Sequence, residues 1–282
     1  MFLTECPRDA MQGWNDFIPT AKKIDYINAL MEVKFDVLDC GSFVSARTIP
    51  QMADSGEVLD NIDKSLSNTQ LSVIVANYRG AEKAMMHEQV DIMGFPFSIS
   101  ETFQQRNTNK GQEEAFADVL KINQLAKDEN KSLNVYLSMA FGNPYGENWD
   151  IKELDFWTER FYDAGIQNVL ISDTTGTATT TQIKQVFTDL LAKFPELNFG
   201  AHFHNKYEES YPKLKAAYDA GCRSFDSAIK GIGGCPLATD DLTGNMPTEK
   251  VFNFMSLEKI DIRQNLLHFE RAYNLAKDIF HF

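Results

Sequence analysis

Short apolar runs rich in β-branched residues alternate with longer segments of helical period from one end of this 282-residue chain to the other. The runs fall near Leu3–Cys6, Phe35–Phe43, Leu71–Ala76, Val90–Phe97, Leu133–Phe141, Asn168–Asp173, Asn198–His204 and Ser224–Ala228. Helical periodicity covers residues 20–33, 57–66, 80–88, 111–128, 151–164, 179–193, 208–220 and 248–257. Strands this apolar suit a parallel sheet covered on both faces, and no low-complexity linker interrupts the βα order. Eight βα units predict an α/β architecture closed into a (β/α)8 TIM barrel, a single catalytic domain over residues 1–282. An open doubly wound sheet is the alternative, but it would carry a GxGxxG turn after an early strand, where this chain reads PRDAMQGW. The last stretch, residues 262–282, contains an amphipathic segment from Arg263 to Phe280. It is expected as an additional C-terminal helix, packed on the outside of the barrel or on a second subunit.

A formal net charge of -13 argues against nucleic acid or an anionic membrane surface as partner, since both require a basic face. No stretch approaches the roughly 18 uninterrupted apolar residues of a membrane span, and the opening MFLTECPRDA lacks the basic and apolar regions of a secretory signal. A cytoplasmic location follows as the expectation. The four cysteines have no metal-ligand spacing and read as reduced thiols. Cys6, Cys40 and Cys222 lie in or against apolar runs and are expected to be packing residues.

In such a barrel the chemistry sits at the C-terminal ends of the strands. Arg8 and Asp9 follow strand one, Asp39 and Ser42 strand two, Asn143 and Tyr145 strand five, and Asp173 and Thr174 strand six. Strand seven ends in His202, His204 and Asn205, and strand eight leads to Lys230 and GIGGCPLA at 231–238. Burying unpaired charge is costly, so this convergence implies a site. His202 and His204, two apart on a strand, share a face and aim into the barrel mouth. With Asp9 they make a set of two nitrogens and one oxygen suited to a divalent cation; a polar strand end held by backbone hydrogen bonds is the plainer reading of the pair. Cys235, in its glycine-rich loop, is either a tuned nucleophile or proton donor, or a small apolar side chain in a turn.

Taken in order, PRDAMQ at 7–12, SFVSARTIPQMAD at 42–54, SDTTG at 172–176, HFHN at 202–205 and GIGGCPLA followed by TGN resemble the 3-hydroxy-3-methylglutaryl-CoA (HMG-CoA) lyases. The resemblance runs from about Thr4 to Leu257, and the cysteine loop is its most specific part. It implies a metal-dependent carbon-carbon lyase that cleaves (S)-3-hydroxy-3-methylglutaryl-CoA, a CoA thioester, to acetyl-CoA and acetoacetate with Mg2+ or Mn2+. The implied ligands are Asp9, His202, His204 and Asn245. Arg8 would face the thioester carbonyl, and Cys235 or His202 would protonate the departing carbanion, with Cys235 preferred. Gln12, Asp39, Asp173 and Thr174 match positions beside the substrate, and a homodimer is implied.

Three departures stand out. Asp39 replaces a glutamate, one methylene longer, which predicts a longer or water-bridged contact with Arg8. Asn205 replaces an aspartate, and the segment from Cys235 to Asn245 is one residue longer and carries Asp240 and Asp241. Two other classes compete with the lyase: an enzyme condensing acetyl-CoA with a 2-oxo acid, as isopropylmalate and citramalate synthases do, and a barrel that binds an acyl-CoA or a metal without catalysis. The condensing enzymes usually add a regulatory domain and lack the GGCP loop.

Overall fold

Apolar strands of four to seven residues build the wall of a closed barrel. The computed structural model describes residues 1–234 and 243–282. In chain order the strands are β1 (Phe2–Glu5), β2 (Val37–Ser42), β3 (Gln70–Ile74), β4 (Ile92–Ser98), β5 (Ser132–Ser138), β6 (Asn168–Asp173), β7 (Asn198–Phe203) and β8 (Ser224–Ser227). Each pairs in parallel with the next, and β8 closes on β1 from Phe2↔Ser224 to Glu5↔Ser227. The expected eight-stranded α/β barrel is the fold observed.

Side chains alternate between the helical layer and the barrel interior. Phe199, Ala201 and Phe203 of β7 join the main core under the helices, while Ile74, Tyr136 and Leu170 pack together in a separate small cluster. That cluster needs room. A Cβ on Gly94 would fall 2.7 Å from Ile74 Cδ1 and 2.9 Å from Tyr136 Cε2, so the glycine admits the tyrosine ring. Tyr136 meets the His202 imidazole edge-on, with centroids 5.4 Å apart.

The long helices form where the period predicted them, among them Thr20–Val33, Gln112–Asp128, Ile151–Asp163 and Thr180–Lys193. Three readings need correction. Residues 57–66 divide into a helix over Ser55–Asp60 and a 3-10 turn over Lys64–Leu66. Helices at Pro7–Gln12 and Glu101–Thr108 were not anticipated, because six or eight residues show too little period to stand out. Pro7 starts the first of these: its ring presets φ, and its missing N–H is one that a first helical turn leaves unpaired. Arg8 and Asp9 therefore follow β1, as expected, and stand on a helical turn.

The C-terminal helix, Leu266–Phe280, buries Ala272, Ala276, Ile279 and Phe280, one face at helical spacing, and lies outside the barrel against Thr20–Val33. Two alanines let the backbones approach, and the Phe280 ring meets Trp14 and Tyr26 edge-on at 5.3 and 6.3 Å.

Beneath the mouth, on the helical side of β1, Glu5 is fully buried. Its carboxyl accepts from Ile229 N at 2.8 Å and Thr248 Oγ1 at 2.5 Å, tying down both ends of the segment that follows β8. Burial outweighs these bonds and pushes its pKa up to about 8. Below the unfolded value of 4.5 both states hold the proton; as pH rises toward 8 the unfolded chain ionises while the folded chain does not, so stability falls. Glu5→Gln should remove that penalty. Urea denaturation should show the variant gaining on the parent by a few kcal/mol between these limits; a pH-independent difference would mean that Glu5 is ionised in the folded chain.

Candidate active site

Asp9 is the point where the two ends of the chain's βα circuit meet. Its Oδ1 accepts from Arg8 at 2.9 Å and Gln12 Nε2 at 2.6 Å. Its Oδ2 accepts from Asn245 Nδ2 at 2.5 Å and Gly234 N at 3.3 Å. Gln12 follows Asp9 by three residues on one helix, which puts both on the same face. Burial works against the Asp9 charge, but Arg8, the two histidines and Asn245 outweigh it and hold the carboxyl at about 2. Asn245 arrives by backbone pairing: it forms an antiparallel bridge with His204, flanked by Asn205 N to Gly244 O at 2.9 Å and Met246 N to Phe203 O at 3.0 Å. The chain must pass very close here. At Gly233, with φ of 102°, a Cβ would sit 2.6 Å from Asn245 Nδ2 and 2.7 Å from the Asp9 carbonyl oxygen.

Arg8 is buried between two carboxylates. Its Nε donates to Asp39 Oδ1 and Oδ2 at 3.2 and 3.0 Å, and a terminal nitrogen donates to Asp39 Oδ2 as well. The expected longer or water-bridged contact is thus corrected: a register shift in β2 between Asp39 and Gly41 accompanies a direct, forked contact by the shorter side chain. Burial raises the Asp39 pKa and Arg8 opposes that rise. Asp39 is fully buried behind the guanidinium and is not among the residues that line the cavity, so it bears on the site through Arg8.

The two imidazoles are oriented from behind. His204 Nδ1 lies 2.9 Å from the Thr174 carbonyl, so Nδ1 carries the proton, and the buried Nε2 has no hydrogen-bond partner among the described residues. Burial, reinforced by His202, holds its pKa near 4, so the ring is neutral at pH 7. His202 Nδ1 donates to Asp226 Oδ2 at 3.0 Å. Burial disfavours its cation, but Asp226 and then Asp9 outweigh that and raise the pKa. One donor atom from each of Asp9, His202 and His204 lies within 4.8 Å of the others. Two rings with Nδ1 bound to oxygen and Nε2 turned forward, beside an ionised carboxylate, fit a divalent cation.

Arg8, Asp9, Gln12, Thr174, His202 and His204 converge on one cavity of about 260 Å³, whose remaining wall includes Ile49, Ile74 and Phe103. Asp173 does not join them. It is buried one residue away, ion-paired with Lys213 at 2.9 Å and accepting from Ala178 N at 3.1 Å, and so anchors the turn after β6. Asn143 closes its own loop by accepting from Tyr145 N and Glu147 N. Cys235 lies outside the described residues. Asp226 and Lys213 were missed in the sequence. Asp226 carried a usable signal, an acidic residue two beyond Ser224 and hence on the inward face of β8, in register beside His202.

A model of the HMGL-like family matches residues 2–276. The chain belongs to that family. HMGL-like relatives include the hydroxymethylglutaryl-CoA lyase YngG of Bacillus subtilis, 32% identical over 271 residues, covering 96% of this chain and 89% of that one. The cytoplasmic 3-hydroxy-3-methylglutaryl-CoA lyase of Rattus norvegicus is 30% identical over 89% of this chain and 72% of its own length. Among solved structures, an HMG-CoA lyase from Acinetobacter baumannii in complex with coenzyme A and 3-methylmalate superposes with a TM-score of 0.92 at 29% identity, over 99% of this chain and 90% of that one. The superposition takes in nearly the whole of this chain, so the barrel that carries the cavity described above is shared with that lyase.

Asp39→Ala should leave the Arg8 guanidinium buried without its main partner and cost about 3–5 kcal/mol, read from urea denaturation; an unchanged midpoint would mean that Asp9 alone suffices. Outer-shell partners of a metal typically affect affinity about 10–100-fold, so His204→Ala should weaken Mn2+ binding by about 100-fold or more, measured by titration against the Mn2+ paramagnetic signal. Full affinity in the variant would remove His204 from the ligand set.

Proposed function

We propose that this chain is a hydroxymethylglutaryl-CoA lyase, cleaving (S)-3-hydroxy-3-methylglutaryl-CoA to acetyl-CoA and acetoacetate. One observation carries the reading: Asp9, His202 and His204 converge beside Arg8 on a single cavity at the C-terminal end of the barrel. Asp9, His202, His204 and Asn245 are the proposed ligands of Mg2+ or Mn2+. A divalent ion there supplies Lewis acidity that lowers the pKa of the substrate's tertiary hydroxyl and fixes its orientation.

The protein's own groups do the rest. Cleavage requires loss of the hydroxyl proton, scission of the neighbouring carbon-carbon bond and growth of negative charge on the thioester oxygen. Arg8 answers that charge. A guanidinium has five N–H donors; Asp39 engages the Nε proton and one terminal proton and Asp9 another, which leaves two N–H groups for the cavity. Because both carboxylates fix the guanidinium beforehand, it need not reorganise as the charge develops. Asn245 and Gln12 hold the Asp9 carboxylate, and Thr174 holds His204.

The acetyl carbanion then needs a proton. His202 Nδ1 is engaged by Asp226, and His202 would be one of the residues holding the cation. We assign Cys235, the thiol of the glycine-rich loop, as the proton donor. The same reading carries a cytoplasmic location and a homodimer; among the described residues no helix is long and apolar enough to cross a membrane.

Purified protein loaded with Mn2+ should release acetoacetate and acetyl-CoA from 3-hydroxy-3-methylglutaryl-CoA and should consume no acetyl-CoA with pyruvate or 2-oxoisovalerate. The reverse result would make it a condensing enzyme. Cys235→Ala should lower turnover by about 10²–10⁴-fold, the usual share of a general acid, without loss of Mn2+ affinity. An unaltered rate would remove the assignment.

A further inference from the structure

Below the cation ligands the barrel interior holds a second group of donors. Cys6, His202 and Asp226 each place one donor atom within 4.8 Å of the other two, and none of them is on the surface: Cys6 is 1% and Asp226 3% exposed. The strand order explains the group. Asp226 pairs with Thr4 on one side, and on the other it continues the β7–β8 register that ends at Ala201↔Phe225, which brings it level with His202. Cys6, two residues beyond Thr4, faces the same interior. The composition is a thiol, an imidazole and a carboxylate, which differs from the oxygen-and-nitrogen set above it.

Two further observations point to a positive ion. Asp226 Oδ2 engages His202, but its Oδ1 is buried with no hydrogen-bond partner among the described residues. A buried carboxylate oxygen left open in this way is costly unless something positive reaches it. Burial is the main influence that pushes the Cys6 thiol up, and the carboxylates of Asp226, Asp39 and Asp9 act in the same direction with Arg8 opposing, so the thiol holds its proton unless a cation displaces it.

We propose that Cys6, His202 and Asp226 form an inhibitory site for a thiophilic divalent cation such as Zn2+ or Cd2+, and that its occupation excludes the catalytic cation because the two sites share His202. Zinc holds nitrogen, oxygen and sulfur donors at about 2.0–2.3 Å in a tetrahedron, which places donors about 3.3–3.8 Å apart. Donors already within 4.8 Å need only a modest inward movement. The proton balance gives the exclusion. As the ion binds, the Cys6 thiol releases its proton to solvent, and His202 offers the Nδ1 lone pair that now carries the proton shared with Asp226. That proton passes to Nε2. An Nε2–H has no lone pair for the upper site, so Mg2+ or Mn2+ loses a ligand. This rests on the proposed ligand role of His202, but not on the identity of the substrate.

The test uses metals alone on the full chain, in a Cys235→Ser background so that the loop thiol contributes nothing. One equivalent of Cd2+ should produce a thiolate-to-cadmium charge-transfer band in the ultraviolet and release bound Mn2+, seen as the return of the free Mn2+ paramagnetic signal. Adding Cys6→Ser should abolish the band and weaken Zn2+ binding at least tenfold, while Cys40→Ser and Cys222→Ser keep it. Should Cys6→Ser fail to fold, Cys6→Ala takes its place. A band that survives either Cys6 substitution, or no band in the background protein, overturns the site. A full band with Mn2+ still bound overturns the exclusion. Failure of Mn2+ to bind at all would instead count against the catalytic cation site, and the cadmium band would still report on Cys6.

Discussion

The mouth of this barrel is organised by one carboxylate. Asp9 takes hydrogen bonds from its own helical turn through Arg8 and Gln12, and from the far end of the chain through Gly234 and Asn245. Arg8, the two histidines and Asn245 keep the buried carboxylate ionised against burial, and the bonds from Gly234 and Asn245 place the segment after β8 beside the turn after β1. An ionised, pre-oriented oxygen is what a cation site requires, and an arriving ion would take the place of one of these donors on it.

Around that carboxylate the protein arranges charges in alternating layers. Arg8 lies between Asp9 and Asp39, His202 between Asp9 and Asp226, and Lys213 beneath Asp173. Buried ion pairs of this kind are weak as sources of stability, since desolvation consumes most of the attraction, but they fix direction. Here direction is the useful product: a guanidinium fixed in the cavity wall by two carboxylates, and two imidazoles each held through Nδ1. The substitution of aspartate for glutamate at residue 39 fits this logic. The contact with Arg8 is direct, so the fork depends on the local path of β2 rather than on side-chain length alone.

The same packing has a second consequence. A polar interior deep enough to hold His202 from behind also brings a thiol and an open carboxylate oxygen within reach of it. The imidazole is thereby shared between a harder and a softer donor set, and the proton on its rear nitrogen decides which is complete.

Much of this was legible in the residues. Apolar β-branched runs and helical period set the strands and long helices, because burial on both faces and on one face leave different periods. The spacing of His202 and His204 places both on one face of a strand whatever surrounds them. The short helices at Pro7–Gln12 and Glu101–Thr108 left too little period to read. The roles of Asp173 and Asp39 were also beyond the sequence, because a carboxylate at a strand end can face the cavity or turn to an ion pair, and Lys213 and Arg8 settled that choice. Asp226 behind His202, and Cys6 within reach of both, exist only through strand register around a closed barrel. The sequence by itself determined which residues alternate, which recur and which carry charge, since those are properties of neighbours along the chain. Only the tertiary structure decided which charges meet, because closing the sheet brings residues 5 and 227 side by side, and no local pattern encodes that contact.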